Sequence, residues 1–262
     1  MSADFLLGVF QTAIGSGLGF GLGIIAFHYQ QERQAEIKKS DDWKQALDAL
    51  NRLNIAAGSN IEALANTKLQ FVNDMRPEIE AMKAAVNNVY GSPSADRSER
   101  TRELHRLSET MRYFHMSLQK TSVMVPPDTL EYSALIREMP ALPLFVHRAM
   151  GMMQELNERI TSRNVLIHEH AREGGTGAGM NAERVVYFAA MLADEGIAIC
   201  EHVDFALYFW MLVREQVAAY MSKKAKGEDF VQYQLLPRAE EAMPNEDLFP
   251  LMRGQLVTFE DT

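Results

Sequence analysis

From Phe5 to Phe27 the chain runs for 23 residues without a charge, and only Gln11, Thr12 and Ser16 interrupt its apolar and glycine-rich character. A helix needs about 20 such residues to cross the hydrocarbon of a bilayer, so this run predicts a membrane-spanning helix. A cleavable signal peptide fits poorly. Met1-Ser2-Ala3-Asp4 carries no Lys or Arg, the apolar run is long, and no small-residue cleavage site follows it. A buried soluble helix is the competing reading, and the missing charge argues against it. Only Asp4 precedes the run, whereas Arg33, Lys38, Lys39 and Lys44 follow it. Positive residues stay on the cytoplasmic side, and the neighbouring Glu32, Glu36, Asp41 and Asp42 count for little in that rule. The expected placement is therefore the inner (cytoplasmic) membrane, single-pass, with the N-terminus outside and the large C-terminal domain in the cytoplasm. The lipid bilayer is the first partner that the sequence implies.

Within the run, Gly15, Gly19 and Gly23 fall four apart and form one stripe of a helix, while Gly17 and Gly21 form another. The two stripes lie roughly 200° apart at about 100° per residue. Small residues four apart let helix backbones approach closely in lipid, where packing drives association. One stripe suffices for a dimer, and two on nearly opposite faces suit a ring or a row of copies. The alternation from Gly15 to Gly23 resembles the glycine-rich inner helix of rotor-ring subunits in membrane ATP synthases. No membrane-embedded carboxylate accompanies it, so ion translocation of that kind is not implied. The expectation is a homo-oligomer, with or without a conducting lumen.

Beyond residue 30 helical periodicity recurs and no strand-like alternation is sustained, so the predicted class is all-α: an N-terminal transmembrane helix followed by a cytoplasmic helical bundle. The organisation reads as an anchor over 1–30, a juxtamembrane helix over 31–58, a bundle over 59–226 and an irregular tail over 227–262. Trp43, Ala46, Leu47, Leu50 and Leu53 share one helix face. Ser59-Asn60-Ile61-Glu62 has the capping-box form that starts a new helix. Pro77 is expected to break or kink that helix, and Gly91-Ser92-Pro93-Ser94 reads as a loop. A polar helix is predicted from Asp96 to Met124, ended by Val125-Pro126-Pro127-Asp128, with Asp128 or Thr129 capping a short helix from Leu130 to Met139. Another is predicted from Leu144 to about Arg172. The Gly174–Gly179 run reads as a linker, and Asn181 as the cap of a long helix from Ala182 to about Lys224. Its nine apolar residues Phe205 to Val213 are too few to span a bilayer and should form a buried centre. Three prolines, Pro237, Pro244 and Pro250, punctuate the tail, which closes on Glu260-Asp261-Thr262.

Net charge is −9, which argues against a general nucleic-acid binder. The short basic clusters, Arg97, Arg100, Arg102 and Arg106 and then Lys223, Lys224 and Lys226, read as solvated faces or helix ends. A single cysteine, Cys200, excludes an internal disulfide framework and reads as a buried thiol. Arg163 and His168 frame four spacers, with the polar Asn164 directly after the arginine. This resembles the R-x(4–6)-H motif of the HEPN family, helical domains that often act as metal-independent ribonucleases. The resemblance implies catalysis by Arg163 and His168 paired across a dimer, polarising a phosphate and moving a 2′-hydroxyl proton. His170 also fits the spacing, on the arginine's own face, and Arg100 with His105 matches as well. The plain alternative is a structural arginine that caps or salt-bridges beside surface histidines.

His168 and His170 lie about 200° apart on a helix and cannot chelate one metal together. Asp194, Glu195, Glu201, His202 and Asp204 interrupt an apolar helix and are expected to pair with basic groups or face water. No metal site and no cofactor signature is expected. The glycine run lacks the Lys-Ser/Thr of a phosphate loop. The 16 methionines, including Met150, Met152 and Met153, read as core packing, with an adaptable groove as the other use. The leading expectation is a self-assembling single-pass protein with a cytoplasmic sensing or interaction domain. The others are a membrane-tethered HEPN-like ribonuclease or anti-phage effector, and a scaffold tethering a cytoplasmic protein partner.

Overall fold

The computed structural model describes residues 3–91, 97–113, 116–173 and 181–244, with N-terminal side chains from Leu22 onward. Every regular element among these residues is helical. The chain runs through α1 (Ala3–Thr67), a π-turn (Lys68–Val72), α2 (Asn73–Gly91), α3 (Arg97–Tyr113), a 3₁₀ turn (Thr129–Leu135), α4 (Leu142–Arg172), α5 (Ala182–Lys224) and α6 (Pro237–Glu241). Residues 92–96, the glycine run and residues 245–262 lie outside the described residues, as do the surroundings of Gly15, Gly17, Gly19 and Gly21.

The chain divides into two compact units. One comprises Met1–Ala49 with Asp128–Arg137, the other Leu50–Pro127 with Glu138–Thr262. In the first, α1 is exposed from Leu22 to Asp42, and Ala46, Leu47 and Ala49 are buried. Its 3₁₀ turn is capped as the sequence implies. Asp128 Oδ1 accepts from the Leu130 amide at 2.9 Å, and Glu131 Oε1 accepts from the Asp128 amide at 2.9 Å. Tyr132, in this turn, is fully buried.

In the second unit α5 pairs most extensively with α4, and α2 and α3 also pack on it. Asn181 caps α5 by accepting from the Glu183 amide at 2.9 Å, and α5 carries the buried centre expected around Phe205–Val213, including Trp210 at 0% exposure. Trp210 Nε1 donates to Met153 Sδ at 3.1 Å, so the indole proton is met inside the core. Gly196 lets α2 come close: a Cβ there would lie 2.7 Å from Ile79 Cδ1.

Four sequence expectations are corrected. α1 passes through Ser59-Asn60-Ile61-Glu62 without a break. The buried face Leu53, Ala56, Ala57, Ile61 and Leu64 continues across it, and apolar periodicity outweighs a local cap. Pro77 does not break the chain's helix: it lies inside α2, just after the π-turn. The helix predicted to Met124 ends at Tyr113, and the short helix predicted over Leu130–Met139 is a 3₁₀ turn ending at Leu135. Among the residues whose surroundings are described, which exclude the N-terminal run up to Gly21, one helix, α5, is long and apolar enough to cross a membrane. Its most apolar window is 61% buried inside the protein, as a core helix would be.

The early end of α3 has a physical cause. Residues 116–128 form no regular element, and three asparagines supply hydrogen bonds that a helix would have supplied. Asn164 Oδ1 accepts from the Leu118 amide at 2.9 Å while its Nδ2 donates to the Leu118 carbonyl at 2.8 Å. Asn157 holds Thr121 in the same way at 2.8 and 3.1 Å, and Asn60 holds Met124 at 2.7 and 2.9 Å. Seven helical residues rise about 10.5 Å, close to the roughly 9–10 Å spanned by three extended residues. Asparagines two turns apart on α4 therefore meet every third residue of an antiparallel strap.

A second strap follows α5. Gly227 adopts φ +100°, a conformation open to glycine, and the chain turns to run alongside α1 in the same direction. Asn51 holds Asp229 and Val231, and Asn54 Nδ2 donates to the Val231 carbonyl at 2.8 Å. Glu62 Oε1 accepts from the Leu236 amide at 3.4 Å. Asn60 and Glu62, the residues that imitate a helix start, are thus used on the straps. A Cβ at Gly58 would overlap the Tyr233 ring, so this glycine is what allows the second strap to lie against α1.

Candidate functional site

The arginine and histidine of the R-x(4–6)-H spacing are not brought together within the chain. Five helical residues separate them by about 140°. Arg163 is 1% exposed, whereas His168 is on the surface. Arg163 Nη1 donates to the Met116 carbonyl at 3.0 Å, and its guanidinium lies 5.2 Å from the Phe71 ring centre. Burial pulls its pKa down to about 10. With Asn164 on Leu118, the adjacent Arg163-Asn164 pair anchors the start of the first strap. His170 is buried with its ring 5.0 Å from that of Phe188, and His105 is exposed.

The acidic residues of α5 pair much as the sequence implies. Asp204, 1% exposed, takes Lys68 Nζ at 2.6 Å and Arg76 Nη2 at 3.7 Å. Lys68 also donates to the Met243 carbonyl at 2.9 Å, tying the end of the second strap to the π-turn. Glu195 takes the Ser162 hydroxyl at 2.9 Å and Arg159 at 3.4 Å. Asp194 pairs with Lys83 at 3.2 Å, and His202 Nε2 lies 2.9 Å from Glu155. Glu201 faces water. Cys200 is buried, and desolvation pushes its pKa up. Among the described residues no group of three or more His, Cys, Asp or Glu is placed to hold a metal.

What sequence reasoning missed is a cavity of about 690 Å³ where the C-terminal half of α5 meets the second strap. Met211, Met221 and Met243 line it beside Phe230, Tyr233 and Arg214. These are not the methionines singled out in sequence: Met153 is core, and Met150 and Met152 are half-buried on α4. Arg214 Nη2 donates to the Tyr233 carbonyl at 2.6 Å, and its Nε is buried with no hydrogen-bond partner among the described residues. Desolvation lowers the Arg214 pKa, against the opposing influence of Tyr233 and Glu62. Only the abundance of methionine hinted at such a site, since the strap that closes it is brought there by tertiary contacts.

Comparison with family models, with curated proteins and with solved structures finds no match for this chain.

Proposed function

We propose that the chain is a membrane-anchored assembly protein, held by the apolar run Phe5–Phe27. In this reading the run self-associates through Gly15, Gly17, Gly19, Gly21 and Gly23, and the cytoplasmic helical domain receives a signal or a partner. The observation that carries it is the contrast between two apolar helices. α5 is covered by protein over most of its apolar window. The end of the N-terminal run has no such cover: Leu22, Ile24, Ile25 and Phe27 are 66%, 44%, 67% and 59% exposed. A soluble protein rarely leaves such a row of large apolar side chains in water, and a bilayer would cover it. The run is helical within α1, and its 23 residues rise about 35 Å, enough for a hydrocarbon core of about 30 Å. An added Cβ at Gly23 meets nothing within 4 Å, which leaves room there for a neighbouring helix.

Two measurements test the reading. The full chain should stay with membranes through an alkaline carbonate wash, and Gly19→Leu with Gly21→Leu should lower the oligomer mass measured in nanodiscs. A chain released by the wash, or an oligomer unchanged by both substitutions, overturns it. The ribonuclease reading gains nothing from an arginine occupied in the interior. A scaffold without assembly would show the membrane association alone.

A further inference from the structure

We propose that the cavity between α5 and the second strap binds an amphipathic anion, an acyl chain carrying a carboxylate or phosphate head. This deepens the reading of the helical domain as one that receives a signal, and rests on that part of it rather than on the anchor. The volume, about 690 Å³, falls among small-molecule sites, which run from about 300 to 1,000 Å³. The walls supply an apolar bed from Met211, Ala218, Met221, Phe230, Leu235 and Met243. Methionine side chains are flexible and polarisable, so such a bed adapts to a chain of variable length.

The polar features decide the sign of the head. Four charged residues line the cavity, and three of them, Glu215, Lys226 and Glu228, are exposed to water. Arg214 alone is half-buried, and no carboxylate among the described residues forms an ion pair with it. One edge of its guanidinium is satisfied by the Tyr233 carbonyl, and Nε, itself sealed from solvent, has no hydrogen-bond partner among the described residues. Glu62 acts on it only as a neighbouring charge, and is itself engaged by the Leu236 amide and the Tyr233 hydroxyl. A desolvated cation beside an apolar bed favours a ligand that brings an anion and a hydrocarbon together.

The experiment uses the full chain in neutral phosphatidylcholine nanodiscs, with ¹³C-methyl-methionine NMR as the readout. Palmitate, lysophosphatidate, hexadecanol and hexadecyltrimethylammonium are the probes, and the first two separate a free acid from a lipid headgroup as the source. The expected result is that one or both anions shift the methyl signals of Met211, Met221 and Met243 and leave the buried Met82 and Met139 in place. Arg214→Gln should weaken anion binding by about tenfold or more, since it removes a charged hydrogen bond. Ala218→Trp, which fills the cavity and keeps the arginine, should abolish the shifts. Hexadecanol binding as tightly as palmitate, or the cationic probe binding at all, overturns the anion. Shifts unaffected by both substitutions, or no shifts in a chain that still assembles in the membrane, overturn the site and leave the anchor reading standing. Binding that appears only after residues 245–262 are deleted assigns the cavity to this chain's own C-terminus, and overturns the proposal as well.

Discussion

Removing one asparagine clamp isolates the interaction that replaces helix in residues 116–124. In Asn157→Ala the Thr121 amide loses an acceptor at 2.8 Å and its carbonyl a donor at 3.1 Å. Thr121 is 6% exposed, so water replaces neither partner freely. Two net hydrogen bonds at about 0.5–1.5 kcal/mol each, in a partly desolvated place, come to about 2 kcal/mol. That corresponds to roughly 30-fold faster local opening, taking 1.4 kcal/mol per factor of ten. Residue-resolved hydrogen exchange on the full chain in nanodiscs reads this directly. The wild type should protect Leu118, Thr121 and Met124 above the intervening Gln119, Lys120, Ser122 and Val123, a period of three along the strap. Asn157→Ala should lift protection at Thr121 first, while Met124, held by the fully buried Asn60, changes least. Uniform exchange along the strap, or an Asn157→Ala profile equal to wild type, would refute the idea that these side chains hold the main chain.

Four further outcomes follow from the packing. Gly58→Ala should push the Tyr233 ring off α1 and cost about 1–3 kcal/mol in thermal unfolding, and adding Tyr233→Ala should recover part of the loss; an unchanged melting temperature in the single variant contradicts the overlap at this position. Asp204→Ala leaves Lys68 buried without its carboxylate and should cost about 3–5 kcal/mol by denaturant titration, whereas Lys68→Met with Asp204→Leu should recover most of that. Arg163→Ala should destabilise by more than 1 kcal/mol while the exposed His168→Ala stays within about 0.5 kcal/mol; RNA cleavage lost in both variants, with folding intact, would instead make the pair catalytic. Because burial raises the Cys200 pKa above its ordinary 9.0, the fold binds that proton more tightly than the unfolded chain does. Its contribution is fully present below pH 9.0 and declines as pH rises through the folded value, so Cys200→Ala should flatten the alkaline loss of stability seen in pH-dependent melting.

Much of the architecture was legible in local signals. The Asn181 cap, the Asp128 cap, the long apolar helix and its buried centre all depend on residues a few positions apart, where propensity and hydrophobic period agree. The pairing of Asp194, Glu195 and Asp204 with basic groups was legible as well, since charges on an apolar helix need partners. Asn60 and Glu62 misled for an instructive reason. A capping box and a strap clamp use the same side-chain chemistry on backbone groups, and only the location of the receiving backbone distinguishes them.

The residues alone determined that this chain is helical, that 23 N-terminal residues carry no charge, and that small residues there recur at the spacing by which membrane helices pack. The tertiary structure decided where Arg163 goes, which segments stay out of helix, and that a methionine-lined cavity forms beneath the second strap. The division is physical. Helix periodicity is written within a few residues, whereas each strap takes its hydrogen bonds from helices 36 to 180 positions away. Nothing in the local sequence of 116–124 or 229–236 distinguishes a chain held by asparagines from one that continues a helix.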